Sequence, residues 1–503
     1  MDVSRRWFIG GAASLFLGRP GRIFADETGA FSQGRPELSF GVLSDVHISL
    51  DKGGKSFRKD HGVETLVAAF EWFRDNGADA VVIAGDMAHC GLAGELKAVA
   101  DAWFKVFPGD KAPDGRAVAR VFVFGNHDWT SPGRAAEVFP DEAERRANLL
   151  CADPQKWWEE IFHEAWTPFM LKEVRGYSFV GAHWCKGEHG CKGRDEDFSS
   201  GMKEFYAGRT FDPARPFFHI QHPQPKGTAH GDKVWGQDDG TSTAALSAFP
   251  NAIAFSGHSH TSLLDERFIW QGAFTSVGCG SLRNVNPGMP GVFTPKGGLE
   301  NYKSPKDKQE FRRYEALKAM KVLNTYDCRQ GQLVRVFKDR VTFARREFVT
   351  GAALGPDLVM PLSGDRPFAF APRLARAQAP AFPAGAAVKV KKGKGRTRAG
   401  KRSEKLEVWN LSFPPANARA GAVPTNYEIR AKGPDGKDVS FGLAGHGSRF
   451  GAADARTRKP LAFRVRCDRV AEKPEFRVFA HSCWGKCSEP LKESAGSVEG
   501  KGA

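Results

Sequence analysis

No apolar run in this chain reaches the roughly 18 to 20 residues that a bilayer-spanning helix needs, so a polytopic membrane protein is excluded. Acidic residues are outnumbered. The 58 Asp and Glu face 73 Lys and Arg, and the resulting charge of +15 draws anions such as phosphate esters, nucleic acid or anionic surfaces without choosing among them. Cysteines are few and odd in number, nine in all, so at least one thiol stays outside any set of internal disulfides. Cys185 with Cys191 and Cys483 with Cys487 are the close pairs able to clip a local loop, while Cys90, Cys151, Cys279, Cys328 and Cys467 are expected to pack as small apolar residues. A zinc site from Cys185, His189 and Cys191 lacks a fourth ligand nearby. About half the residues are apolar by the usual count, which excludes wholesale disorder. A length of 503 residues implies two or three folded units.

Residues 1–25 read as an address. Ser4-Arg5-Arg6-Trp7-Phe8-Ile9 precedes a weakly apolar stretch to Gly18 and then Arg19 and Arg22, a pattern that resembles the twin-arginine export signal. Gly10, Gly11 and Gly18 argue against a core helix there. The expectation is a protein exported to the periplasm or secreted, with no transmembrane helix once the signal is removed.

From Glu37 onward strand and helix signals alternate. Apolar runs at Leu38 to Leu43, Ala80 to Ala84 and Val118 to Phe124 are separated by helical spacing at Val63, Leu66, Val67, Phe70 and Phe73 and again over Glu95 to Phe104. That alternation predicts an α/β unit, in which functional groups gather past the carboxyl ends of strands. The strand ends here are Ser44-Asp45-Val46-His47, Gly85-Asp86 and Gly125-Asn126-His127-Asp128. Two further runs, Phe217 to Gln221 and Ala252 to Phe255, lead into His222-Pro223 and Gly257-His258-Ser259-His260. In Asp45-x-His47 and His258-x-His260 a spacing of two puts both side chains on one face of an extended segment. Any one of these blocks alone is a turn or a cap. Five strand ends in series carrying oxygen and nitrogen donors are not what turns produce.

In this order the five blocks resemble the calcineurin-like metallophosphoesterase superfamily, over about residues 37–365. The resemblance implies a two-sheet sandwich flanked by helices that holds two divalent metal ions. One ion would take Asp45, His47, Asp86 and His260, and the other Asp86, Asn126, His222 and His258, with Asp86 as the bridge. Hard oxygen donors mixed with imidazoles suit Mn, Fe, Zn or Ni. Purple acid phosphatases add a tyrosine after the Gly-Asp block, where this chain has Met87 and Ala88. The implied chemistry is attack of a metal-bridged hydroxide on phosphorus, with His127 as general acid to the leaving group and Asp128 orienting its imidazole and favouring the cation. His61, His89, His183, His189 and His219 are read as structural or surface residues, with His61 and the loop Trp184 to Lys192 as further places where substrate would touch. The expected substrate is a phosphate monoester. The alternatives are a phosphodiesterase or nuclease of the same superfamily and, in another class, a non-catalytic envelope-binding protein. No specific nucleic-acid partner is expected, and oligomeric state stays open.

Leu282 to Tyr314 is long and rich in Gly, Pro and Lys, the composition of a surface excursion, and Arg340 to Arg346 reads as a late strand. Near Ala377 the composition changes, and the basic run from Lys391 to Arg402 reads as a linker or hairpin loop. Strand character returns at Leu406 to Phe413, Tyr427 to Ala431, Phe463 to Cys467 and Phe476 to Ala480. This predicts a C-terminal all-β sandwich over 377–491, and Ala480 to Leu491 resembles the last strand of fibronectin type III-like modules. Envelope contact would go through that module. Residues 492–503 read as a disordered tail.

Overall fold

The computed structural model describes residues 34–58, 62–129, 132–185, 196–231, 234, 236–285, 329–399, 402–417, 420–444 and 460–493. The export signal, His61, His189, Cys191, Cys328 and most of the excursion to Tyr314 lie outside them.

Three apolar runs form parallel neighbours: β1 (Leu38–Leu43), β2 (Ala80–Ala84) and β3 (Ala119–Val123). β1 and β2 are buried along their whole length, which is why they read as unbroken apolar runs rather than alternating ones. A second group comprises β4 (Phe169–Val174), β5 (Tyr177–Ala182), β6 (Phe217–Gln221), β7 (Ala252–Ser256), β8 (Ile269–Gln271) and β9 (Thr275–Gly278). Next come β10 (Gln330–Val336), β11 (Arg340–Glu347) and β12 (Leu358–Pro361). They make two six-stranded mixed sheets, β12-β11-β10-β1-β2-β3 and β4-β5-β6-β7-β9-β8. Phe40 of β1 joins them, with ring centroids 5.1 Å from Phe179, 4.7 Å from Phe218 and 5.7 Å from Phe255. Burying one such ring contributes about 1.5 to 3 kcal/mol.

Helices α1 (Val63–Asp75) and α2 (Ala93–Val106) cover the first sheet with the apolar faces their spacing foretold; Leu66, Ala69, Phe70 and Phe73 are the buried positions of α1. Strands β4, β5, β8, β9, β10 and β12 carry no signal that the sequence reading used. β10 enters from the far side of the excursion to pair antiparallel with β1, a register decided by tertiary contact.

Beyond the helix Phe370–Arg376, β13 (Lys389–Ala399), β14 (Arg402–Phe413) and β17 (Leu461–Arg466) form one antiparallel sheet. β15 (Pro424–Lys432), β16 (Asp438–Ala444) and β18 (Arg477–Ser482) form the other. A separate core containing Leu411, Phe413, Tyr427, Ile429, Phe463 and Val478 lies with them. The basic run is not a linker. Lys389 to Ala399 pairs residue for residue with Arg402 to Ser412, and Lys392 meets Glu407 at 3.0 Å, so its lysines are exposed positions of a paired strand. The tail also begins later than 492, since Val388 donates its N–H to the Lys492 carbonyl and Glu493 accepts from Phe476 N–H.

The two units touch at Glu266. Its carboxylate accepts from Gly421 N at 2.6 Å and from Trp484 Nε1 at 3.1 Å, and the Arg373 guanidinium lies over the Trp484 ring.

Candidate metal centre

The first sheet's ladder continues past its strands. Asp45 N–H donates to Gly85 O, His47 N–H to Asp86 O and Ile48 N–H to Met87 O, so the two loops run side by side. Gly257 N–H donates to His222 O and ties the second sheet's loops together in the same way. Five residues of these loops are held at left-handed φ: Asp45 (54°), His47 (49°), Asp86 (55°), His258 (67°) and His260 (53°). Such backbone is disfavoured by about 1 to 3 kcal/mol per residue and persists only where surroundings over-determine it. Glycine is required at 125 and 257, where a Cβ would run into the Asp86 carboxylate and the Ser44 hydroxyl respectively.

These loops bring all seven expected metal-site residues together. Donor atoms of Asp45, His47 and His260 lie within 4.8 Å of one another, as do those of Asp86, His222 and His258. Asp86 Oδ2 sits between the groups, 3.5 Å from His47 Nε2 and 3.2 Å from His222 Nε2. Asn126 Oδ1 is 3.2 Å from the same His222 nitrogen.

The imidazoles are aimed by what holds their other nitrogen. His222 Nδ1 is 2.7 Å from Ala84 O, and His260 Nδ1 is 2.9 Å from Asn284 O. Each Nδ1 therefore carries the hydrogen, a tautomer assigned from the bonding pattern, and each Nε2 presents a lone pair inward. The carboxylates follow the same logic. Asp45 Oδ2 accepts from His258 N–H at 3.0 Å and Asp86 Oδ1 from His127 N–H at 2.8 Å. Their second oxygens, Asp45 Oδ1 and Asp86 Oδ2, are buried with no hydrogen-bond donor. Asp45 Oδ1 is nonetheless 3.0 Å from His260 Nε2 and His47 Nε2 is 3.2 Å from His260 Nε2, so lone pair meets lone pair unless a proton or a cation lies between. Without metal, protons fill that need: against the opposing effect of burial, the Asp86 and Asp45 carboxylates hold His222 up to about 9, and Asp45 raises His260. The residues present fit divalent cations.

Asp128 does not orient His127. Its Oδ1 accepts from Ala88 N at 2.6 Å and its Oδ2 from Gly125 N at 2.7 Å and Met87 N at 3.2 Å, which staples the Asp86 loop to the Asn126 loop. Burial, with the nearby Asp86 charge, pushes Asp128 up to about 8. His127 instead has Nδ1 2.9 Å from His89 O, and its ring lies 4.4 Å from that of His47. Glu95 performs a similar service, accepting from Cys90 N at 2.7 Å and Leu50 N at 3.1 Å.

His89, which the sequence reading treated as structural, stands at the centre's edge with Nδ1 3.5 Å from His47 Nδ1; its place three residues after Asp86 was the available signal. Trp184 flanks the other side, its ring 5.6 Å from His258. His183 and His219 are fully buried. His183 Nδ1 accepts from Phe124 N–H, and His219 contacts Tyr206 and Gln221. The cysteine reading is corrected at Cys151, which is disulfide-bonded rather than packed as a thiol, whereas Cys483 and Cys487 form no disulfide with each other.

Residues 38–262 match the calcineurin-like phosphoesterase family. No curated protein matches the chain. Among solved structures, a dimetal phosphatase from Danio rerio is similar at 11% identity and a TM-score of 0.33, over 65% of this chain and 100% of that one. The purple acid phosphatase PPD1 from yellow lupin is similar at 12% identity and 0.35, over 65% and 55%. GAP50 of Plasmodium is similar at 11% identity and 0.36, over 65% and 90%. The family match supports a calcineurin-like metallophosphoesterase domain over this stretch, with the hydrolytic phosphoesterase activity of that family.

Proposed function

We propose that the calcineurin-like domain hydrolyses phosphate monoesters at two divalent cations held by seven side chains. Asp45, His47 and His260 hold one ion, Asn126, His222 and His258 the other, and Asp86 both. The observation that carries this reading is the pair of buried, donor-less oxygens, Asp45 Oδ1 and Asp86 Oδ2, surrounded by imidazole Nε2 atoms. When bound, the ions supply positive charge for the phosphoryl oxygens and lower the pKa of water in the site.

The chain's own groups do the rest. Hydrogen bonds from His222 and His260 to backbone carbonyls keep their Nε2 lone pairs pointed inward, so the site does not have to reorganise as charge develops. His127, its ring 4.4 Å from that of His47, is the group assigned to pass a proton to the leaving oxygen. Trp184 walls the His258 side and limits water there. Arg5 and Arg6 direct export, placing the enzyme in the periplasm or outside the cell, and the C-terminal sheets act as a fibronectin type III-like module that contacts the envelope.

The full chain, loaded in turn with Mn, Fe, Zn or Ni, should hold two metal equivalents and turn over small monoesters faster than diesters. A preference for diesters would make it a phosphodiesterase or nuclease, and failure to bind any of these ions would sink the reading. Replacing Arg5 and Arg6 together by Lys should trap the precursor in the cytoplasm; normal processing of that variant would refute the export assignment.

A further inference from the structure

The positive charge of this chain is concentrated in one hairpin. From Lys389 to Glu407 the sequence carries nine Lys and Arg against Glu404 and Glu407, a net +7 out of the chain's +15. β13 and β14 pair throughout, from Lys389 opposite Ser412 to Ala399 opposite Arg402. β17 pairs with β14 only from Val408 to Phe413, so from Lys394 to Ala399 the hairpin runs on as a two-stranded ribbon for about 20 Å, at about 3.4 Å per residue. The core stops there as well. Val388, Val390, Leu411 and Phe413 pack into it, whereas Lys391, Lys392 and Lys394 are exposed.

Such a ribbon gains little stability from within. A two-stranded hairpin is marginal in water, and like charges opposite one another, as at Arg396 and Lys405 in this register, weaken it further. The Lys392 to Glu407 pair at 3.0 Å joins exposed side chains and offsets little of this. Charge on an edge strand guards against pairing with another chain, but that function does not call for cations on both faces. Here Lys389 and Lys391 share the outward face with Asn410 and Arg464, while Lys392 and Lys394 continue the face that carries Val390. No Asp or Glu stands at an outward position of the three strands over 389–391, 408–412 and 462–466.

We propose that the β13–β14 hairpin is the surface by which the C-terminal unit adsorbs to a membrane leaflet rich in anionic phospholipid, with its cations drawn to the headgroup phosphates. This rests on the proposed envelope contact and names its residues and its partner's chemistry. An anionic leaflet acts on every cation within a screening length of about 8 Å, so both faces of a thin ribbon contribute. No aromatic or large aliphatic residue lies between Lys391 and Lys405, so nothing enters the acyl chains and the attachment is reversible and salt-sensitive. The same composition disfavours nucleic acid, since single strands are gripped by stacking on aromatic rings and the ribbon has none. Alongside Lys389 to Lys392 the sheet also has a third strand, β17, one more than a duplex major groove admits.

The test is co-sedimentation of the full chain with vesicles, read beside turnover. Vesicles of equal parts phosphatidylglycerol and phosphatidylcholine should bind it, pure phosphatidylcholine should not, and binding should weaken about tenfold or more between about 0.05 and 0.3 M salt. A cation at such a surface strengthens partitioning about fivefold, so replacing Lys389, Lys391, Lys392 and Lys394 together by Gln should cost about a hundredfold or more. Replacing Lys97, Lys105, Arg146 and Lys156 by Gln removes the same charge from exposed positions of the calcineurin-like domain and should cost about threefold or less, because screening confines their field. Arg at the four hairpin positions keeps the charge and should keep the binding. Equal losses in the two Gln variants would overturn the proposal by leaving only net charge, and loss in the Arg variant would overturn it by showing a structural cause. Tighter binding of a random DNA duplex through the same lysines would also overturn it, by making the partner nucleic acid. A wild-type chain that binds vesicles yet cleaves no monoester would count against the proposed hydrolysis and leave the membrane contact standing.

Discussion

Two clusters of carboxylate and imidazole in this chain are built in opposite ways. At the ends of β1, β2 and β7, five residues sit at left-handed φ and two carboxylate oxygens lack a donor. In the C-terminal sheets, Glu428 is saturated: its Oε1 accepts from Arg430 Nε at 2.7 Å and Ser440 Oγ at 2.8 Å, and its Oε2 from Arg430 Nη2 at 2.8 Å and His481 Nε2 at 3.0 Å. Among the described residues beyond His260, no non-glycine residue has a left-handed φ. Both clusters pair carboxylate with imidazole. The C-terminal one has a donor for each carboxylate oxygen, whereas the other leaves two oxygens among imidazole nitrogens with none, and that incompleteness, more than the residue types, marks the candidate binding site.

The largest effect that would break this contrast is at Asp86. Asp86→Asn should fold yet lose metal affinity by more than the 10- to 100-fold typical of residues that merely orient ligands, because the oxygen between both imidazole groups loses its charge. Metal analysis of the purified variant decides it, and two retained equivalents would contradict the assignment.

Chelation is the next probe. Cations present at a thousandfold excess over their Kd add about 4 kcal/mol to the folded state they bind, so removing them should lower the thermal transition of the sandwich. Amide exchange in β14, β15 and β18 should hardly change. Equal loosening of both units would mean that the metal centre supports the whole chain.

A smaller effect is expected at Glu428. Hydrogen bonds to charged groups contribute about 1.5 to 3 kcal/mol, and Glu428→Gln should destabilise the C-terminal sheets by about that much without changing metal content. The pH dependence follows from the shifts. Hydrogen bonds from His481, Arg430 and Ser440 outweigh burial and hold Glu428 down to about 2, and the Cys487 and Glu428 contacts outweigh burial and hold His481 up to about 9. Stability from Glu428 is present above the ordinary glutamate range and lost as pH falls through about 2; stability from His481 is present below about 6.5 and lost as pH rises through about 9. The stability gap between wild type and Glu428→Gln, read from urea midpoints, should therefore be widest near pH 5 to 6 and shrink by pH 9. A gap that grows toward pH 9 would refute the pairing.

The smallest change concerns the contact between units. Trp484→Phe removes one hydrogen bond to Glu266, costing about 1 kcal/mol, and should leave phosphoester turnover within twofold. A large loss of turnover would show that the C-terminal sheets position the loop carrying His260.

Much of the site was legible because parallel strands buried on both faces must be apolar throughout, so the donors that follow them stand out. Leu38 to Leu43, Ala80 to Ala84 and Phe217 to Gln221 coincide with strands, and the residues after them converge as expected. Asp128 and the run from Lys391 were misread for one reason. A carboxylate that bonds backbone N–H groups and a lysine at an exposed position of a paired strand have the same local sequence as an orienting acid and a linker.

By itself the sequence determined which donor residues follow the buried strands and the order in which the strands deliver them, because burial and strand periodicity act within a few neighbours. Only the tertiary structure decided that Asp45 and Asp86 each keep one oxygen free, that Asp128 turns to backbone and that Arg134 lies on His127. Those outcomes depend on hydrogen bonds and stacking between loops far apart in the chain, and no local pattern encodes which of several available donors a buried oxygen will meet.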